Sequence, residues 1–495
     1  MPEAKLLALA TRGSGIAAAG CGKTELIAKA TASVAGRQLV LTHTNAGVEA
    51  IRRRLRRLGV AGNQVSVDTI DGWCLKFVGA YPVLSGGVPT NEDGFCDWRS
   101  LRVAMTCLLE KPIIRRVIQA SYNGVYVDEY QDCVPEQHFV VTALADLVPT
   151  RVLGDPLQSV FRFRNSNPVD WSTVVSAFPH LLELNTPWRW RKEGANPSLG
   201  EWLTNIRLSF EMRATLNLSD SRISFIKLES PVDWQEPARD ACFNAATKGG
   251  TVVAICKWPD NSQVLARMTA GLFQRVEALD AKDAAAMLRQ LEGTSGERRV
   301  NVLLDFLSTI AIHVSEHVKE IRAALFNGGQ SGKHLASCLP LMHAVCASDQ
   351  ASNLAIALDA LTTLPNVKVF RRELLWAVLD TLRDIDQSPI RDSTEALRRR
   401  RNLTSHVGRR LSRCTVGSTL LVKGMEFDHA IVVHTGGARG FSAYDLYVAL
   451  TRGSRSLTIL APSNTIELSE LPDSQSMLSG EPALSTGGDN RGKWR

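Results

Sequence analysis

Ten cysteines are spread through 495 residues without a single C-x-x-C pair. Zinc fingers and ribbons take their ligands from such pairs, so that class is excluded. Singly scattered cysteines in a chain this long fit a reduced, intracellular protein. No apolar run approaches the ~18 residues that a membrane helix needs. The start of the chain imitates a lipoprotein signal, with Lys5, then LLALA, then Ala18-Ala19-Gly20-Cys21, but Thr11, Arg12, Gly13, Ser14 and Gly15 break it. A cytoplasmic location with no membrane partner is therefore expected. Internal repeats are absent. Aromatic residues make up only 6% of the chain, so those beside arginines at 161–164 and 188–191 stand out. The net charge of +7, with pI ≈ 8.9, permits a polyanionic partner but leaves the decision to where the charges lie. The length implies more than one domain, and 44% hydrophobic with 22% charged residues is a globular composition.

One stretch organises the rest. Ala17 to Thr24 reads AAAGCGKT, the phosphate-cradling pattern G-x-x-x-x-G-K-[ST] with Ala17 in place of the first glycine. Gly20 and Gly22 let the backbone curl, so that the N–H groups of Ala19 to Thr24 can face phosphate oxygens. Lys23 brings a charge to the terminal phosphates, and Thr24 offers a hydroxyl to magnesium. The helix expected from Glu25 aims its positive end at the same anion. Arg37 to Thr44 then reads as a buried parallel strand, with Ile16 to Ala19 as the strand feeding the loop. A helix from Asn45 to Leu58 carries Arg52, Arg53, Arg54, Arg56 and Arg57, read as a solvated face in preference to a phosphate-contacting one.

Gly124 to Asp132, GVYVDEYQD, is a hydrophobic strand ending in two adjacent carboxylates. Behind a phosphate loop, Asp128 suits a water-linked magnesium ion and Glu129 suits the polarising of an attacking water. Arg151 to Arg164 runs from a strand into a Gly-Asp-Pro turn that sets Gln158 to sense a γ-phosphate. Phe161 and Phe163, interleaved with Arg162 and Arg164, suit stacking on unpaired bases; a place in the core is the alternative. His180 to Arg191 sets Arg189 between Trp188 and Trp190, which either brace it or simply pack. Thr251 to Trp258 opens a second sheet. From Asn261 to about Ser412 the chain is helical and motif-free, with Glu297 to Asn327 its longest periodic segment and a basic end at Arg398–Arg401, Arg409, Arg410 and Arg413. Val416 to Val433 reads strand, turn, strand, and Tyr444 to Leu460 reads helix, then strand. A disordered tail is expected from Asn464.

The ordered set AAAGCGKT, LTHTN, VDEYQD, GDPLQSVFRFR, LVKGMEFD and LYVALTR resembles superfamily-one DNA helicases of the UvrD/Rep/PcrA type. The resemblance spans Ala17 to Leu460. It implies an α/β fold of two RecA-like parallel-sheet domains with helical insertions. The first would be 1–190, with a short insertion at about 79–120. The second would be 191–258 with 413–463, interrupted by a helical domain at 259–412. The resemblance also implies ATP and Mg²⁺ as cofactors, and 3′-to-5′ movement on single-stranded or tailed DNA. By matching position, Ala19, Gly20, Cys21, Gly22, Lys23, Thr24 and Glu25 would bind nucleotide, with Thr24 and Asp128 holding the metal. Glu129 would be the base, Gln158 the γ-phosphate coupler, Arg189 and Arg452 the arginine fingers, and Glu426 the ribose contact. Thr44, Asn45, Thr69, Trp73, Phe161 and Phe163 would face DNA. The chain departs from the family in having no glutamine before Gln38, where the family reads adenine, and in carrying Leu420 where the family has a histidine. The short insertions favour translocation over unwinding. Compact proteins of this kind also occur beside a nuclease in Gabija-type defence systems, which makes a regulatory ATPase with a nuclease partner the alternative.

Overall fold

Apolar runs of four or five residues with polar ends become interior strands here, buried on both faces as parallel sheets require. The computed structural model describes residues 2–91, 96–160, 167–277, 282–326, 328–329, 332–348, 350–387, 397, 411–437 and 440–469. The first sheet uses β1 (Arg12–Ala17), β2 (Gln38–Thr42), β3 (Val65–Thr69), β4 (Gly124–Val127), β5 (Thr150–Gly154) and β6 (His180–Leu184). Its order is β3-β2-β4-β5-β1-β6, with every pair parallel. After β7 (Thr215–Asn217) come β8 (Ser224–Lys227), β9 (Val252–Cys256), β10 (Gln274–Arg275), β11 (Ala311–Ile312), β12 (Lys368–Val369), β13 (Cys414–Gly417), β14 (Phe427–Val433), β15 (Gly453–Ala461) and β16 (Thr465–Glu467). The second sheet runs β10-β13-β9-β14-β15-β8, again all parallel. This is the expected pair of RecA-like parallel sheets.

Three boundaries differ from the sequence reading, each for a physical reason. The strand feeding the phosphate loop starts at Arg12, not Ile16. Its RGSGIA sequence hides it, because glycine weakens strands unless a neighbour comes close. Here a Cβ on Gly13 would lie 2.3 Å from Leu181 of β6. The second sheet gains β8 before β9, and β10 beyond it pairs with β13 at two residues too short to show a period. The tail forms structure past Asn464, since β16 pairs antiparallel with β7.

The helical insertion has its own apolar core, with Leu303, Leu307, Ile310, Leu358 and Leu379 at its centre. A second break appears in its long periodic segment, between helices Gly296–Ile310 and Ser315–Phe326, where β11 pairs with β12. Pro112 separates helices Trp98–Leu109 and Pro112–Ser121 in the first unit, as a proline at the first helical position does. Among the described residues no helix is long and apolar enough to cross a membrane.

Candidate active site

The C-terminal ends of β1, β4 and β5 converge on one cleft, where open parallel sheets hold ligands. After β1, Gly20 and Gly22 take φ of +71° and +85°, which a side chain would resist. Helix Lys23–Ala32 begins at once, and its first N–H groups face the loop. Lys23 is 8% exposed and lies 3.0 Å from Glu129 and 3.7 Å from Asp128. Thr24 Oγ1 donates to Asp128 Oδ2 at 2.9 Å. Glu129 adopts φ +57°, a strained value for its type, and Gln131 Nε2 donates to its Oε2 at 2.5 Å. Burial pushes the Asp128 carboxyl up, against the pull of Lys23. For Glu129 burial acts the same way, but Lys23 and Lys423 prevail and hold it low. Two carboxylates pushed in opposite directions thus face the same lysine.

The second sheet's unit reaches into this cleft. Arg189 donates through its backbone N–H to Gly20 O at 3.0 Å. Its guanidinium binds Thr451 O at 2.5 Å and Glu426 at 3.1 Å, and stacks 5.3 Å from the Trp190 ring. Trp190 is buried, donates to Gly453 O at 2.8 Å, and would lie 2.6 Å from a Cβ on Gly20. The two tryptophans therefore differ: Trp190 packs the loop onto the second unit, while Trp188 is 46% exposed. Glu426 also meets Lys192 at 3.3 Å; partial burial raises its carboxyl, but Arg189 and Lys192 bring it down to about 2. Arg452 is 1% exposed and donates to Gln158 Oε1 at 3.2 Å. Burial, with Arg189 adding to it, lowers its pKa to about 9, so this cation lies in a site that favours an anion beside it.

Sequence reasoning assigned no role to several residues that complete the site. Lys423 crosses to Asp132, 2.6 Å from both carboxylate oxygens, and donates to Gln158 O at 2.5 Å. Asp155, fully buried, accepts from Gln158 Nε2 at 2.8 Å and from Arg207 at 3.0 Å. Asp132 and Asp155 stand inside quoted motifs and could have been weighed. Tyr447 likewise stands inside the quoted LYVALTR; Arg207 carries no local signal, since only the tertiary fold brings it here.

Other expected residues fall elsewhere. Thr44 and Thr69 cap helices Asn45–Arg57 and Ile70–Ala80, accepting from Gly47 N and Gly72 N. Asn45 opens the first of these helices, half-buried. Trp73 is 2% exposed and its indole reaches Tyr122 OH at 3.4 Å, so it packs in the first unit's core. Phe161 and Phe163 lie outside the described residues. Glu25 turns to Arg57 at 2.7 Å instead of toward the loop. Cys21 is buried beside Ala19, and burial followed by Asp155 pushes its thiol up to about 12. In the basic helix, Arg52 binds Val67 O at 2.8 Å and Arg56 binds Glu49 at 2.6 Å, as a self-satisfied surface does.

These residues fit a nucleoside triphosphate with magnesium. The loop offers N–H groups, a buried lysine and a helix start to phosphate, and Thr24 with Asp128 is a hard-oxygen pair suited to Mg²⁺. Among the described residues no three His, Cys, Asp or Glu side chains could hold a metal by themselves. Phosphate oxygens would have to complete the ion's shell.

Comparison with known proteins agrees with this chemistry. The UvrD/REP helicase N-terminal domain family matches residues 88–179, the span that holds Asp128, Glu129 and Gln158. An ATP-dependent helicase/nuclease subunit from Pediococcus pentosaceus is 37% identical over 71 residues, 14% of this chain and 6% of that protein. Its counterpart from Streptococcus equi subsp. zooepidemicus is 30% identical over 102 residues, 21% of this chain and 8% of that protein. The chain thus matches under a tenth of these relatives' length. Two structures of Arterivirus nonstructural protein 10 (helicase), one with DNA, align over 93% of this chain and 63% and 61% of theirs, at 10% identity and TM-scores of 0.36 and 0.30. Taken with the ordered motifs, this match over part of the chain supports a likeness to UvrD-like superfamily-one helicases.

Proposed function

We propose that the chain is an ATP-driven motor that moves 3′ to 5′ along single-stranded DNA, hydrolysing ATP with Mg²⁺ in the cleft between its two sheets. One observation carries the reading. Arg189 and Arg452, both held by the second sheet's unit, stand at the phosphate loop and at Gln158 of the first. Arg452 comes from one lobe and the phosphate loop from the other, while Arg189, at the end of the first lobe, bonds to both. Cleft closure would then depend on the triphosphate, and closure that comes and goes with hydrolysis is the two-state element a motor needs. When bound, magnesium would neutralise phosphate charge beside Thr24 and Asp128. Lys23 would bind the terminal phosphates, and Glu129, held ionised by Lys23 and Lys423 and oriented by Gln131, would polarise the attacking water. Glu426 would orient the ribose.

The test is ATP turnover by the full chain with and without single-stranded DNA, alongside Glu129→Gln. DNA should stimulate the wild type, and the variant should lose roughly 10²–10⁴-fold in kcat while keeping its melting temperature. Unstimulated turnover, or near-normal turnover by Glu129→Gln, removes the assignment. The relatives are helicase/nuclease subunits, which favours a second reading: a DNA-sensing regulatory ATPase beside a nuclease, in defence or repair. Directional movement along single-stranded DNA by the chain alone separates them, since a motor translocates unaided and a sensor does not.

A further inference from the structure

No motif contains Arg207. It lies on helix Pro197–Glu211, in the second sheet's unit, and is 9% exposed. Each of its side-chain nitrogens has a partner. Nε pairs with Glu211 at 2.9 Å, Nη1 donates to Tyr447 OH at 2.8 Å, and Nη2 donates to Asp155 Oδ1 at 3.0 Å. The guanidinium also lies 5.7 Å from the centre of the Tyr447 ring. Only the Asp155 contact crosses the cleft.

Asp155 has no exposure, so its charge depends on protein partners alone. Two arms leave it. Its Oδ2 accepts from Gln158 Nε2, which turns Gln158 Oε1 toward Arg452 Nη2. Its backbone N–H donates to Gln131 Oε1 at 3.0 Å, which leaves Gln131 Nε2 for Glu129. We propose that Arg207 is a positioning residue for ATP hydrolysis: by pairing with Asp155 across the cleft it fixes which way the Gln158 amide faces, and so where Arg452 sits. The proposal rests on the reading of the cleft as an ATPase site. Without Arg207, Asp155 would be a buried carboxylate stripped of its cation; it would take up a proton or draw in water, and the Gln158 amide would be free to turn over. The pair also forms only when the lobes meet, so it ties the amide's orientation to closure.

Steady-state ATP hydrolysis at saturating single-stranded DNA tests this on wild type, Arg207→Met, Arg207→Lys and Gln158→Ala, and on the Arg207 variants combined with Gln158→Ala. Arg207→Met should lower kcat roughly 10- to 100-fold, as small misplacements of reacting groups do, with KM for ATP within about threefold. Arg207→Lys keeps a point charge without the fork, so its loss should be smaller, about three- to tenfold. In the Gln158→Ala background either change should cost less than about twofold more, because the amide it acts through is gone. A merely structural role predicts losses that multiply across backgrounds and a matching fall in melting temperature; that result overturns the inference. If Arg207→Met does not fold, Arg207→Lys carries the test, and a wild-type rate in that variant overturns it. A wild type without ATP hydrolysis removes the ATPase reading and this inference together. An active wild type with losses that multiply removes the inference alone.

Discussion

The cleft buries a cluster of charged side chains, whereas the helical insertion's core is mostly apolar, with a buried Arg371 paired to Glu277 and Asp283 beside it. In the cleft, Lys23, Asp128, Asp132, Asp155, Arg189, Arg207 and Arg452 are all at or below 9% exposed. In the insertion, Leu303, Leu304, Leu307, Leu358 and Leu361 fill the equivalent interior. Buried ion pairs add little to stability beside apolar residues of the same volume, because desolvation offsets their attraction. On the proposed function, this cluster of seven groups serves chemistry and the insertion's leucine core serves shape. The two regions should fail differently when damaged.

Arg452→Met is the sharpest way to break that contrast. It removes a fully buried cation whose pKa of about 9 leaves it wanting an anion. Loss of Arg452 in its proposed role as an arginine finger should cost about 10³-fold or more in kcat. Stability should hardly fall, and a rise is reasonable, since an apolar chain replaces a desolvated charge. Turnover and thermal melting on one preparation check both halves; a variant that melts early yet hydrolyses ATP reverses the assignment of this residue from chemistry to structure.

Leu303→Ala is the converse. Leu303 has no exposure, and emptying such a site costs about 2–5 kcal/mol. Denaturant unfolding should show that loss, while ATP turnover below the new melting point stays within about twofold of wild type. A large fall in turnover would mean that the insertion's core helps to set the cleft.

The same contrast explains what was legible in the sequence. Lys23, Thr24, Asp128 and Glu129 could be read because each is fixed to its neighbours within one loop or one strand end. β2, β4 and β9 could be read because strands buried on both faces leave apolar runs. The start of β1 could not, since its Gly13 is dictated by Leu181 of another strand. The burial of Trp73 could not be read, because sequence does not say which side of a helix faces the core. Arg207 pairs with Asp155 across 52 positions of chain, and Lys423 with Asp132 across 291, so no window contains either pair. The insertion's helices were visible as a class, but no local chemistry gives them a site.

Asp132 sharpens the comparison through pH. Burial outweighs Lys423 and pushes its carboxyl up to about 6. The folded value lies above the ordinary 3.8, so the folded chain holds this proton more tightly than the unfolded one. Ionisation of Asp132 thus weakens folding as pH rises through that interval, yet it gives Lys423 its partner across the cleft. Wild-type turnover should fall as pH drops below about 6. Asp132→Asn should be a few-fold slower at neutral pH, lose the acid limb, and melt no lower than wild type. An acid limb that survives in Asp132→Asn points to another group.

The smallest effect is expected where charge is densest. Helix Asn45–Arg57 carries five arginines, but Arg56 and Arg57 sit on Glu49 and Glu25 at 2.6 and 2.7 Å with about two thirds of each side chain in water. Exposed pairs of this kind contribute little and are screened by salt. Arg56→Ala with Arg57→Ala should leave turnover unchanged. It should also leave the salt dependence of single-strand binding unchanged, because each lost phosphate contact would shift the slope by about 0.7. A shift of that size or larger would move this helix from the solvated surface to the DNA path, and the basic run would then belong with the cleft as part of the machine.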